Sequence, residues 1–136
     1  MKVDIYLTTT FKGSFASGTG AYGILLRTMR GQRPAMREHY AGWSGISIQK
    51  LNVRAAVEAL CYMNAPCDVV IHTDNQYIKY VIENGNTNGK FVELWKSFFA
   101  ARNRMKSVRV ELESGHEYQE YLKGKLAEGK YTVIND

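Results

Sequence analysis

The sequence has few of the features that mark disulfide-rich, metal-clustered or membrane-spanning chains. It contains two cysteines, Cys61 and Cys67, which lack the spacing of a metal site. No apolar run approaches the roughly 20 residues of a membrane span. Lys2 is followed closely by Asp4, and the apolar core of a signal peptide does not come after them. These absences predict a reduced, cytoplasmic protein that does not associate with a membrane.

Acidic residues are scarce in the first part of the chain. Residues 1–50 hold seven Lys or Arg and two Asp or Glu, whereas residues 51–136 hold eleven of each. The net charge of +5 therefore arises in the first 50 residues. Gly31 and Pro34 indicate a turn there, and four arginines bracket it: Arg27, Arg30, Arg33 and Arg37. We predict that the four cluster near a hairpin tip. There they contact nucleic-acid phosphates, contact an acidic protein surface, or remain solvated without a partner.

The sequence is long and apolar enough for one folded domain. It has 136 residues, of which 45% are hydrophobic and 12% aromatic, so a disordered chain is excluded. No linker, repeat or low-complexity segment divides it. We predict a single domain over residues 1–136, with a core over about 2–128 and a short C-terminal tail over 129–136.

Hydrophobic periodicity predicts an α/β domain. Runs rich in β-branched and aromatic residues predict strands over 3–10, 21–29, 35–43, 69–71 and 107–112. Helical spacing predicts helices over about 47–64, 75–83, 91–105 and 118–128, the first capped by Ser47 and the third burying Trp95, Phe98 and Phe99. The order βββαβααβα predicts a five-stranded mixed sheet flanked by helices.

Four local motifs occur along this order. They are Gly20-Ala-Tyr-Gly23, Val53-Arg-Ala-Ala-Val-Glu-Ala-Leu60, Thr73-Asp-Asn-Gln-Tyr-Ile78 and Gly115-His116. Together, over about residues 2–128, they resemble the bacterial and retroviral ribonucleases H, which cleave the RNA strand of RNA–DNA hybrids. The resemblance implies a ribonuclease H-like fold. It also implies chemistry in which four acidic positions hold two divalent cations, Mg²⁺ or Mn²⁺.

The resemblance places the family's four acidic positions on four residues of this chain, and only one of these residues is acidic. That residue is Asp74, and the other three positions fall on Thr8, Asn52 and Gly124, the last with a one-residue deletion in the preceding loop. Threonine and asparagine offer an oxygen without charge, and a site of formal charge −1 cannot offset two divalent cations. The sequence therefore predicts a degenerate active site with no metal or other cofactor. Mg²⁺ or Mn²⁺, held by Asp74, is expected only if activity remains.

Other polar residues near these positions have two interpretations each. Glu113 and Glu117 flank Gly115-His116 and are the acids that could restore a metal site. The resemblance implies that His116 assists turnover, and the alternative is a surface histidine. Asp74 is either a remnant of the cleft or a cap for the helix that follows it.

Three functions remain open on the sequence. The first is a catalytically inactive ribonuclease H-like module, a pseudoenzyme that binds RNA–DNA hybrid, other nucleic acid or protein. The second is an active, metal-dependent ribonuclease H with a rearranged site. The third is an accessory or inhibitory protein-interaction module. Some family members grip the hybrid with a basic helix-loop after the second helix. Here that stretch is only Asn84–Lys90 with one lysine, which weakens the second hypothesis.

Overall fold

The computed structural model describes all residues from Met1 to Asp136 as one sheet with helices on both faces. The strands are β1 (Lys2–Ser14), β2 (Ser17–Arg30), β3 (Arg33–Ile46), β4 (Asp68–Thr73), β5 (Ser107–Leu112) and β6 (Val133–Asn135). The helices are α1 (Ile48–Cys61), α2 (Gln76–Asn84), α3 (Val92–Arg102) and α4 (Gln119–Ala127). None of these helices combines the length and apolar character that crossing a membrane requires.

The sheet has six strands in the order β5-β4-β1-β2-β3-β6, so the prediction of five strands is wrong. The β1–β2 and β2–β3 pairs are antiparallel, and the other three pairs are parallel. The additional strand, β6, comes from the segment predicted to be a tail. It has three exposed residues and forms only because it pairs with Gly42–Ser44 of β3, which local sequence does not reveal.

Alternation along β1 assigns each side chain to one face of the sheet. Val3, Ile5 and Leu7 belong to the main core with α1, α2 and α3. Tyr6 belongs to a smaller cluster with Leu122 of α4 on the opposite face. Because β1 lies in the middle of the sheet, both clusters fix its position, and its first half, Val3–Thr8, is held between the two helical layers.

The starts of α1 and α2 are set by capping side chains. Ser47 accepts a hydrogen bond from the Lys50 backbone N–H, which confirms it as the cap of α1. At α2 the cap is Asn75, whose Oδ1 accepts from the Ile78 N–H at 3.0 Å. The interpretation of Asp74 as this cap is therefore wrong. The helix begins one residue later than an Asp74 cap requires, and the Asp74 side chain is left exposed.

The aromatic face of α3 completes the main core. Trp95 and Phe98 are fully buried, which confirms that they pack rather than present a stacking surface. The Trp95 indole lies edge-on to Tyr77, and its Nε1–H donates to the Tyr77 hydroxyl at 3.3 Å. Phe99 stacks against Trp95 from the partly exposed side. The aromatic cluster thus anchors α2 and α3 to the sheet.

Candidate functional site

The parallel pairing of β1 and β4 brings together Thr8, in the middle of β1, and Asp74, which directly follows β4. The two strands are parallel, and Tyr6 pairs with His72 in their register. Thr8 and Asp74 each lie two residues further along, just beyond the segment in which β1 and β4 pair. Thr8 is buried, whereas the Asp74 carboxylate is exposed and forms no hydrogen bond within the protein. The structure therefore joins two of the four positions that the resemblance implies.

The Thr8 hydroxyl is enclosed by two side chains from the far end of the chain. It lies 3.0 Å from Nε2 of His116 and donates to Oε1 of Gln119 at 2.8 Å. His116 Nε2 also lies 3.0 Å from the Leu7 carbonyl oxygen, and its Nδ1 accepts from the Tyr118 N–H at 3.2 Å. Because Nδ1 is an acceptor, the ring is neutral with its proton on Nε2. The hydroxyl is thus held by a fixed set of partners.

His116 is buried, with 7% of its surface exposed, so the interpretation of it as a surface histidine is wrong. The connection between β5 and α4 folds back over β1 and places the His116 ring beside the Thr8 hydroxyl. Burial lowers the pKa of His116 from its usual value, and the hydrogen bond to Leu7 and the charges of Glu113 and Asp74 offset this only in part. A neutral ring fits the hydrogen bonds it makes.

Asn52 lies on the other side of β1 from Thr8. Its Oδ1 accepts from the Thr9 hydroxyl at 3.1 Å, and its Nδ2 donates to the Ile48 carbonyl oxygen at 2.9 Å. Thr8 and Thr9 point to opposite faces of the strand. The Asn52 side chain therefore lies on the face of β1 opposite Thr8. It is hydrogen-bonded to Thr9 and not to a residue of the site.

Gly124 lies on the exposed part of α4. A Cβ atom built there meets no other atom within 4 Å, so the position opens to solvent. The residue of α4 that contacts Thr8 is Gln119, one turn before the buried Leu122. Sequence reasoning missed Gln119, because a polar residue at the start of a helix gives no signal of a partner on a distant strand.

The neighbouring acids are engaged with other partners. Glu113 Oε2 lies 2.9 Å from Nδ1 of His72, whose Nε2 lies 2.9 Å from Asp4 Oδ1. Glu117 accepts from the Tyr6 hydroxyl and, at 2.8 Å, from the guanidinium of Arg27. These two bonds, with that from Tyr6 the stronger influence, lower the pKa of Glu117 and keep it ionised.

Arg27 is separate from the other three arginines, contrary to the prediction of one cluster. Its guanidinium contacts Asp4 at 3.6 Å and Glu117 at 2.8 Å, and it lies over the rings of Tyr6 and Tyr118. It is half-buried on the α4 face of β2. Arg30, Arg33 and Arg37 remain exposed at the end of the β2–β3 hairpin.

Comparison with known proteins identifies the family. No family model matches the chain. The ribonuclease H of Chromobacterium violaceum is 30% identical over an alignment of 135 positions, and the match covers 88% of this chain and 88% of that protein. The chain belongs to the ribonuclease H family. Among solved structures, LC9-RNase H1 has a TM-score of 0.74 at 19% identity, covering 95% of this chain and 73% of that one. LC11-RNase H1, solved with an RNA/DNA hybrid, has a TM-score of 0.62 at 12% identity, covering 79% of this chain and 83% of that one.

The donor atoms of this ribonuclease H family member do not fit two divalent cations. Mg²⁺ is octahedral and is usually held by one or two carboxylates together with waters and substrate phosphates, so a pair of ions needs several carboxylates. No group of three or more His, Cys, Asp or Glu in the structure could hold a metal ion. Just beyond the paired segment of β1 and β4, the one carboxylate that forms no hydrogen bond within the protein is that of Asp74. The Thr8 oxygen is already bonded to His116 and Gln119.

We expect His116 to make the free energy of unfolding depend on pH as the pH falls below about 6.5. Its folded-state pKa is lowered from an ordinary value near 6.5. The unfolded chain then binds the proton more readily, so the free energy of unfolding should fall as pH drops through this range. Urea unfolding of the parent and of His116→Gln measures the effect. The parent should show the steeper loss, and equal slopes in the two proteins would contradict the expectation. Since the pKa of His39 is also lowered by burial, the difference between the two proteins isolates His116.

Proposed function

We propose that this chain is a ribonuclease H family protein that binds RNA–DNA hybrid without cleaving it. Binding is supported by the family relationship, by the net charge of +5 and by the likeness in fold to a protein solved with a hybrid. The absence of cleavage is supported by the neutral residues at three of the four positions where the resemblance implies acids.

One observation carries the proposal, the enclosed hydroxyl of Thr8. At the position of β1 where the resemblance implies a metal-binding carboxylate, the Thr8 side chain donates to Gln119 and contacts a neutral His116. The group is buried and its partners are satisfied within the protein. Asp74 alone supplies too little charge to hold cations in the geometry that two-metal hydrolysis uses.

A cleavage assay with a labelled RNA–DNA hybrid tests this proposal. We expect no product above background with Mg²⁺ or Mn²⁺, while the ribonuclease H of Chromobacterium violaceum serves as the positive control. Asp74→Asn is the diagnostic variant, and Asp68→Asn is its matched control because Asp68 is an exposed acid at the start of β4, whereas Asp74 follows the end of that strand. Cleavage by the parent that is lost in Asp74→Asn and kept in Asp68→Asn would establish an active enzyme with a rearranged site.

Binding is measured separately by fluorescence anisotropy of the same hybrid. We expect weak, sequence-independent binding that weakens with salt, because phosphate contacts release counterions at a slope of about 0.9 per contact. A protein that binds no hybrid at about 50 mM salt has lost the nucleic-acid function as well as the chemistry. That result would contradict the binding part of the proposal and leave the prediction on cleavage intact.

A further inference from the structure

The exposed arginines of the β2–β3 hairpin share one face of the sheet. Arg37 pairs with Leu26, and Leu26 belongs to the core on the α1 side. Arg30 lies four residues beyond Leu26 in the same strand and pairs directly with Arg33. Because side chains alternate along a strand, all three guanidinium groups emerge on the α1 side. We call Arg30, Arg33 and Arg37 the arginine face.

The arginine face carries charge that the protein does not balance. None of the ion pairs in the structure includes its three members, whereas Arg27 on the opposite side has two acidic partners. Arg30 and Arg33 are direct cross-strand neighbours, and like charges in that position are destabilising. An acidic group from outside the chain would relieve this repulsion.

A cavity of about 390 Å³ adjoins the arginine face. Its walls come from the starts of β1 and β4, the hairpin and the segment after α1, and they include Val3, Leu26, Met63 and Cys67. Arg30 and Arg37 also line it. Its volume lies near the lower end of the range for ligand sites, roughly 300–1,000 Å³. An occupant therefore needs an apolar group next to negative charge.

The outer edge of β3 beside this face has no partner strand. The short strand β6 pairs only with Gly42–Ser44, which leaves residues 33–41 of β3 as an open edge of the sheet. Charged side chains on such an edge discourage unwanted pairing, but that role does not require an adjacent cavity. An extended segment added to the edge would project alternate side chains toward the arginine face.

We propose that this surface docks an extended acidic peptide segment of another protein, with one large apolar side chain placed in the cavity. The open edge supplies backbone partners, the arginine face supplies charge complementarity, and the cavity selects for the apolar side chain. A phosphate backbone would satisfy the arginines but not the aliphatic walls. A second copy of this chain would bring its own arginines to the same edge and be repelled.

This proposed docking surface is separate from the part of β1 that holds Thr8. Thr8 pairs with Gly23 of β2, and Arg30 lies seven residues further along that strand. At about 3.4 Å per residue, the two places are roughly 24 Å apart. Variants of the arginine face therefore leave the Thr8 site unchanged, and the two proposals can be tested independently.

The test uses a labelled nine-residue peptide in which Asp occupies alternate positions, a central Leu replaces one Asp, and Thr fills the remainder. The hairpin variant combines Arg30→Glu, Arg33→Glu and Arg37→Glu. Its control makes the same charge change at exposed residues elsewhere, with Lys12→Glu, Lys90→Glu and Lys123→Glu. We expect the parent and the control variant to bind the peptide, and the hairpin variant to bind at least about tenfold more weakly.

A second peptide tests the contribution of the cavity. A peptide with Ser in place of the central Leu should bind the parent several-fold more weakly, because it leaves the cavity unfilled. Equal binding by the hairpin and control variants, or by the Leu and Ser peptides, would overturn the proposal. The proposal would also be overturned if the parent bound no acidic peptide and only the hairpin variant lost affinity for the hybrid. The arginines would then be phosphate contacts. Self-association of the parent that the hairpin variant abolishes would instead assign the edge to a second copy.

Discussion

Thr8→Asp is expected to lower the free energy of unfolding by about 3 kcal/mol. The new carboxylate would replace a buried hydroxyl that donates to Gln119 Oε1, and so would face an acceptor where a donor is needed. It would also lie near the Leu7 carbonyl oxygen and the charge of Asp74. The His116 Nε2–H offers one hydrogen bond in compensation. Urea unfolding in the presence of a chelator measures the loss. Thr8→Ser, which keeps the hydroxyl, is the matched control and should stay close to the parent.

Mn²⁺ should partly restore the stability of Thr8→Asp and leave the parent unchanged. The variant would place two carboxylates at neighbouring positions of β1 and β4, and an ion that binds only the folded state stabilises it. The gain is about 2.7 kcal/mol at a hundredfold excess over the dissociation constant. Adding Asp74→Asn should abolish the rescue. A parent protein that Mn²⁺ stabilises through Asp74 would show that the natural site holds a cation after all.

Trp95→Ala should reduce the free energy of unfolding by about 3–5 kcal/mol. The indole is 1% exposed and is surrounded by Phe98, Phe99 and Tyr77 in the main core. Removing it leaves a cavity and takes the indole N–H donor from the Tyr77 hydroxyl, which still donates to the Thr87 carbonyl oxygen. Thermal unfolding should show a melting temperature lower by roughly 10–20 °C.

The neighbouring exposed residue provides the control for this variant. Lys96→Ala removes a side chain of α3 that faces solvent, and should change stability by no more than about 0.5 kcal/mol. Similar losses in the two variants would mean that α3 is held by its surface rather than by its aromatic face, contrary to the packing described above.

The elements that the sequence predicts are those with a strong local signal. Alternation in β1 and helical spacing in α1 and α3 each extend over many residues, and the structure contains all of them. The strand β6 has two apolar residues, Val133 and Ile134, both exposed, and its existence depends on pairing with β3. Neighbouring residues with similar capping ability, Asp74 and Asn75, left the start of α2 uncertain by one position.

The candidate site was predictable only for residues that carry a motif. Asp74 and His116 were found through motifs, and Thr8 was found as the residue on which the first acidic position of the family falls. Gln119 was not found, because its partner is 111 residues away. Burial of His116 depends on the course of the loop before α4 and has no local signature. The separation of Arg27 from Arg30 did have a local signature, because residues an odd number of positions apart in one strand point to opposite faces of the sheet.

The order of the strands has a consequence for synthesis of the chain. Both edges of the sheet are completed by the last part of the sequence, with β5 covering β4 on one side and β6 covering part of β3 on the other. A growing chain that has released only residues up to 106 exposes β4 as an uncovered edge and leaves all of β3 open. Exposed strand edges are templates for pairing with other chains. We therefore expect the growing protein to be most prone to aggregation on the ribosome before residues 107–135, which contain β5 and β6, emerge.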